Sequence, residues 1–298
     1  MAASEEKRTA KISYECHGHL MMDGVDFAQA SRRNRNGVDI SALRSALASL
    51  SGAGVVYYRD GGDRYGVSLL GREIAQEYGI EAVTPVFAIY KRGRYGSVAG
   101  KSYDGMESYR SRVAEVRRAG GDFVKLILSG IITFRSFGEL SCEGIEEEEL
   151  AELVHIAHGE GFRVMAHVNG AETIRAAVLA GVDSVEHGYF ADRDAMEAMA
   201  EKKTLWVPTL AAVEAFTGRE GIDTSVAERT LREQIRCIEK AKAMGIPVAA
   251  GSDSGAVGVP HGRGTMREYE LLSAAGLTEA DIEASNVKLR EVFSPGNR

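Results

Sequence analysis

The sequence predicts an α/β fold, a (β/α)8 TIM barrel in a single domain, and three observations carry that prediction. Short apolar, β-branched segments recur, each followed by a longer amphipathic stretch rich in Ala, Glu, Arg and Leu. A glycine precedes strand after strand, in SGAGVVYY, EYGIEAV, AGGDFVK, GEGFRVM, LAGVDSV and AMGIPVA, where it ends a helix in left-handed geometry. The strands are apolar on nearly every residue instead of alternating, which suits a parallel sheet covered on both faces. Eight such units in 298 residues fit a closed barrel, with an open doubly wound sheet as the alternative.

The first strand is predicted over 12–16, a short run that breaks at HGH, and the second over 54–59, where GVVYYR follows a helix-ending glycine. EAVTPVFAI gives the third, 81–89; FVKLILS the fourth, 123–129; FRVMAHV the fifth, 162–168. DSVEH, TLWVPT and IPVAAGS give the sixth to eighth, over 183–187, 204–209 and 246–252. The Glu run at 146–149 carries apolar neighbours and reads as a helix start. No linker, low-complexity segment or repeat interrupts the pattern, so one domain is expected over 1–298, with the barrel proper at about 12–292.

Composition narrows the function. With 44% hydrophobic and 27% charged residues the chain can bury a large core, and its net charge of −7 is spread along it, which argues against a nucleic-acid partner. Cys16, Cys142 and Cys237 are far apart and odd in number, so reduced thiols are expected rather than a disulfide framework. MAASEEKRTAK lacks the apolar core of a signal peptide, and no run reaches membrane-spanning length. The expectation is a cytoplasmic protein acting on a small-molecule substrate, without a membrane partner.

In a parallel barrel, catalytic groups stand at the C-terminal ends of strands. His17 and His19 follow strand one at i and i+2, on the same face of an extended chain, where both imidazoles can reach one metal. Lys125 is the only charge in FVKLILSG; an unpaired ammonium inside such a strand is costly, so it reaches water or is neutral and chemically engaged. His167 in VMAHVNG and His187 in SVEHGYF end strands five and six, and Asp253 in VAAGSDSG closes strand eight, where a helix N-cap is the competing role. One fold gathers all six at one mouth. His155 and His158, near the C-terminal end of a helix, lie on the opposite side and suit the helix dipole. His261 in VPHGRG is on the site's side and is a candidate substrate contact.

This ordered set (HGH, a lysine in strand four, MAHVNG, SVEHGYF, AAGSDSG) resembles the metal-dependent amidohydrolase superfamily. GVVYYRDGG, SVEHGYFADRDAMEAMAEKKTLWVPTL and HGRGTMREYELLSAAGLT are similar to segments of its imidazolonepropionase-like and prolidase-like branch, and the likeness runs from about Ile12 to Val292. The resemblance implies that His17 and His19 bind one metal and His167 and His187 a second, two zinc ions in the simplest case. It implies that Lys125 carries a CO2-derived carbamate bridging them, and that Asp253 both ligates and moves the catalytic proton. A neutral, desolvated amine is what adds CO2, and the product is an anion that can span two cations. The implied reaction is hydrolysis of a C–N amide bond in an N-acyl amino acid, dipeptide or cyclic amide.

Two departures qualify the likeness. Members of the branch carry a small β-sandwich from both chain ends; here it is expected to be absent, with the barrel surface polar or covered by a second subunit in a homo-oligomer. Glu15-Cys16 stands where Ile-Asp is commoner, and Cys16, pointing away from the histidine face, is expected to pack. A deaminase would need a glutamate soon after His167, where Val168, Asn169 and Gly170 stand. A lactonase or phosphotriesterase would use the same six ligands, and a metal-binding protein without turnover would not need Asp253 as a proton carrier. For a substrate carboxylate, the basic loop Tyr90, Lys91, Arg92, Arg94 and Tyr95 and, after strand four, Arg135 are the candidates.

Overall fold

The computed structural model describes residues 13–294. Ile12, the first residue of the first predicted strand, and the N-terminal MAASEEKRTAK lie outside the described residues. Nine strands are present among the described residues: β1 (Ser13–Gly18), β2 (Val55–Asp60), β3 (Glu81–Val83), β4 (Ala88–Lys91), β5 (Gly100–Tyr103), β6 (Val124–Ile127), β7 (Val164–Val168), β8 (Ser184–His187) and β9 (Leu205–Val207). They pair in parallel, in the orders β1-β2-β3 and β5-β4-β6-β7-β8-β9, with helices between them. The fold is the (β/α)8 barrel. Every residue of β6, β7 and β8 is buried, as expected of strands covered on both faces.

Three details depart from the predicted elements. The third strand is broken: β3 pairs with β2 and β4 with β6, so two short pieces share one place in the barrel. Pro85 has no N–H to donate, Val86 turns to a φ of 70°, and the Thr84 amide bonds instead to Asp122 Oδ2 at 2.9 Å. The eighth segment closes the ring through isolated bridges, Trp206 to Val248 and Gly18 to Ser254, and not as a strand. Its backbone bends at Asp253, with a φ of 61°, while the Cys16 amide donates to the Ala250 carbonyl and the Asp253 amide to that of His17. β5, which has no predicted counterpart, adds outside β4 in the register Ala88 to Gly100.

The barrel's lower interior is plugged by Tyr14, Cys16, Tyr57, Phe123, Met165 and Leu205 against Leu289 and Phe293 of the helix Glu279–Phe293. Cys16 packs as expected, its Sγ 3.8 Å from Asn286 Oδ1. With one end filled by apolar side chains, the polar residues of the strands are left at the C-terminal mouth. The Glu run starts the helix Glu147–Gly159, and His158 in its last turn is 3.0 Å from Asp183. Among the described residues no helix is long and apolar enough to cross a membrane.

Candidate metal centre

Strands β1, β6, β7 and β8 and the eighth segment hand polar side chains to the mouth. His17 is inside β1 and His19 just beyond it, separated by Gly18, where any side chain would collide with the Tyr58 hydroxyl and Ser254. Lys125 comes from β6, His167 from β7 and His187 from the end of β8; Asp253 comes from the bend in the eighth segment. His187 and Asp253 both hold positive φ, 66° and 61°, a conformation uncommon outside glycine and typical of residues constrained for a site.

All six sequence-predicted ligands are brought together. One donor atom from each of His17, His187 and Asp253 lies within 4.8 Å of the others. The His17 and His187 rings are 4.9 Å apart and those of His167 and His187 4.5 Å. Lys125 Nζ is 3.1 Å from His17 Nε2. Asp253 Oδ1 stands 3.7 Å from His17 Nε2 and 3.6 Å from His19 Nε2, buried and without a hydrogen-bond partner. An orphaned carboxylate oxygen facing two imidazole nitrogens is the environment a divalent cation satisfies, so the residues present fit such a group.

The electrostatics agree. Burial, and then the Lys125 charge, push His19 and His167 down to about 3; burial, and then Lys125 for His17 and the adjoining imidazoles for His187, hold these two well below the usual imidazole range. All four are neutral near pH 7, the form that ligates metal. Burial lowers Lys125 to about 8 against the pull of Glu186 and Asp253, and raises Asp253 to about 6 against that of Lys125.

Several supporting residues escaped sequence reasoning. Glu186 Oε2 is 2.7 Å from His17 Nδ1, and its Oε1 takes a 2.7 Å bond from Arg59 Nη2. Arg59 also donates to Ser184 Oγ and to the Cys16 carbonyl, and its guanidinium lies 4.4 Å over the Phe293 ring. Thr209 Oγ1 is 2.8 Å from His187 Nδ1, and Asn169 bonds the Gly130 carbonyl beside His167. Glu15 clamps β1 to the eighth segment, accepting from the Ser252 amide and from the Ser252 and Thr265 hydroxyls. Arg59 in VVYYR and Glu186 in SVEH carry the same signal as Lys125, a charge inside a buried strand.

The expected carboxylate contacts are not assembled. A cavity of about 310 Å³ opens over the six residues, and Tyr95 lines it, its ring 5.4 Å from that of His167. Tyr90, Arg94, Arg135 and His261 do not line it. Tyr90 packs with Ala99 and Ile127; Lys91 pairs with Glu149 and Arg92 with Asp104. Arg94 donates to the Glu143 carbonyl, and Arg135, whose side chain is 74% exposed, pairs with Glu139 four residues on. His261 Nε2 is 3.1 Å from the Met22 carbonyl oxygen in a neighbouring pocket. Each of these groups has its partner nearby, so the loop's charge is spent locally.

The model of the Amidohydrolase family matches residues 20–285. An uncharacterized protein of Mycobacterium tuberculosis is 32% identical over 174 residues, 56% of this chain and 45% of that protein. The ochratoxinase of Aspergillus niger is 28% identical over 257 residues, 80% of this chain and 48% of the enzyme. The chain thus spans about half the length of the curated relatives it matches. The crystal structure of a Xaa-Pro dipeptidase superposes with a TM-score of 0.77 at 21% identity, over 96% of this chain and 76% of that one, a likeness of fold.

Proposed function

This chain belongs to the amidohydrolase family, and from that premise we propose that it is a metal-dependent hydrolase that cleaves a C–N amide bond in a small molecule, working in the reducing cytoplasm. The carrying observation is the convergence of His17, His187 and Asp253 donor atoms within 4.8 Å, next to the unpartnered Asp253 oxygen. Similar proteins named as a dipeptidase and an ochratoxinase support an amide substrate.

In this reading His17, His19, His167, His187 and Asp253 would hold two divalent ions, zinc in the first instance, and Lys125, as a carbamate, would join that ligand set. Bound there, such ions supply water activated near neutral pH and a polarised carbonyl. The chain's own residues do the rest. Glu186 holds His17 through Nδ1, leaving Nε2 toward the cavity. Asp253 takes the proton of the attacking water and returns it to the departing nitrogen, a step an amide needs because an amine leaves poorly. The Lys125 amine, buried and shifted toward neutrality, forms its N–C bond to CO2 and releases a proton to solvent.

A screen of dipeptides, N-acyl amino acids and lactones on zinc-loaded protein tests the reading. Amide hydrolysis lost with chelator and in Lys125→Ala is the expected result. Turnover of lactones alone, or amide turnover indifferent to chelator, would overturn it.

A further inference from the structure

Outside its ligand cluster the cavity is predominantly apolar, with Tyr95, Asn169 and Tyr189 the polar side chains among the remaining lining residues. Phe27, Ile131, Phe134, Val213, Phe216 and Val257 line it, and Lys125 is the one Lys or Arg among the lining residues. Phe134 and Phe216 stack with ring centroids 4.7 Å apart and planes inclined by 27°. Phe134 is held at a φ of 55°, a left-handed conformation unfavourable for a bulky residue. It lies on an excursion after β6 tied by the antiparallel Ile132–Leu140 bridge, so the aromatic wall is built against backbone preference. Ile131, 40% exposed, extends the apolar surface outward.

Resting on the amide-hydrolase reading above, we infer that the substrate is a neutral amide bearing an aromatic or similarly bulky apolar group beside the scissile bond, and that the site selects against a carboxylate on that group. An aryl group leaves water for a wall of matching polarity, and a cavity of this size is ordinary for a small organic ligand. A carboxylate against the Phe134–Phe216 wall gives up its hydration and meets no arginine or second lysine to replace it. Arg94 and Arg135 are engaged elsewhere, and Lys125 sits 3.1 Å from His17 inside the ligand cluster.

Two measurements on the zinc-loaded full chain test this. The first compares hydrolysis of N-benzylbenzamide with that of its carboxylate analogue 4-(benzamidomethyl)benzoate. The neutral amide is expected to have a kcat/KM higher by about tenfold or more, the scale on which an unpaired polar group is rejected by an apolar pocket. The second titrates benzyl phenyl ether, which has no scissile bond, by calorimetry; binding is expected, weakened about fivefold or more in Phe216→Ser through loss of the ring's buried area. Amide hydrolysis with equal or greater preference for the carboxylate overturns the inference and leaves the proposed function standing. Ether binding that Phe216→Ser weakens, without hydrolysis of any amide, overturns the proposed function and keeps the assignment of an aryl ligand to this wall. No ether binding, or equal binding by wild type and Phe216→Ser, overturns the aryl assignment whatever the enzyme hydrolyses.

Discussion

His17 Nδ1 and Glu186 Oε2 are 2.7 Å apart, both side chains essentially inaccessible to solvent, and this contact decides which nitrogen of the imidazole faces the cavity. A carboxylate can only accept, so Nδ1 carries the proton and Nε2 keeps its lone pair for a ligand.

Replacing Glu186 by Gln tests that assignment. Gln can offer N–H to Nδ1, shifting the proton to Nε2, while its oxygen still accepts from Arg59. Zinc affinity is expected to fall about 10- to 100-fold, read by competition with a chromophoric chelator, with the fold retained. Glu186→Ala strands the Arg59 charge in the barrel and should cost about 3–5 kcal/mol in urea unfolding. Unaltered zinc affinity in Glu186→Gln would remove the carboxylate from its orienting role.

Gly61 is a steric counterpart. A methyl group there would overlap the His19 ring, and Gly61 is not among the positive-φ glycines, so Gly61→Ala acts by collision and not through backbone strain. Zinc affinity should drop about tenfold or more as His19 is displaced, by analogy with misplaced ligand shells. Wild-type affinity would mean that His19 is not a ligand.

How far the site was legible follows from where its signals lie. His17, His19, Lys125, His167, His187 and Asp253 interrupt apolar strands or close them, and strand ends meet at one mouth in any barrel, so local pattern and topology together place them. Arg94 and Arg135 show the opposite case. Their charges are visible in the sequence, but their partners Glu143 and Glu139 become neighbours only through loop geometry, and neither helix nor strand periodicity encodes that. The third strand was legible as apolar, yet its break at Pro85 and Val86 needed the pairing of β3 with β2 and β4 with β6 to show it. The aromatic wall was hidden because Phe27, Phe134 and Phe216 come from distant segments.

Phe293 links stability to the site. It is 1% exposed, edge-on to Phe123 at 5.2 Å, and lies under the Arg59 guanidinium. Phe293→Ala opens a cavity in the barrel plug and removes the ring from beneath that charge, so a loss of about 3–5 kcal/mol is expected in urea unfolding. Phe293→Leu, which keeps most of the volume but not the π face, should lose less. Equal losses would show that the cost comes from the ring's contact with Arg59 and not from the space it fills.

Glu268 makes stability depend on pH in a direction opposite to that of an ion-paired carboxylate. Buried, it accepts from the Leu210 and Ala211 amides at 3.0 and 2.7 Å, and burial outweighs those bonds, raising it from 4.5 to about 8. Below pH 4.5 both folded and unfolded chains hold this proton, and the contribution is fully present. Between 4.5 and about 8 the unfolded chain releases it while the folded one keeps it, so stability falls as pH rises, by at most about 1.4 kcal/mol per unit from this group. Above about 8 both are ionised and the loss is complete. Glu268→Gln cannot ionise, so its urea unfolding free energy should decline less between pH 5 and pH 8 than that of the wild type. Parallel pH profiles for the two proteins would mean that Glu268 is ionised in the fold throughout this range, held by the two amides.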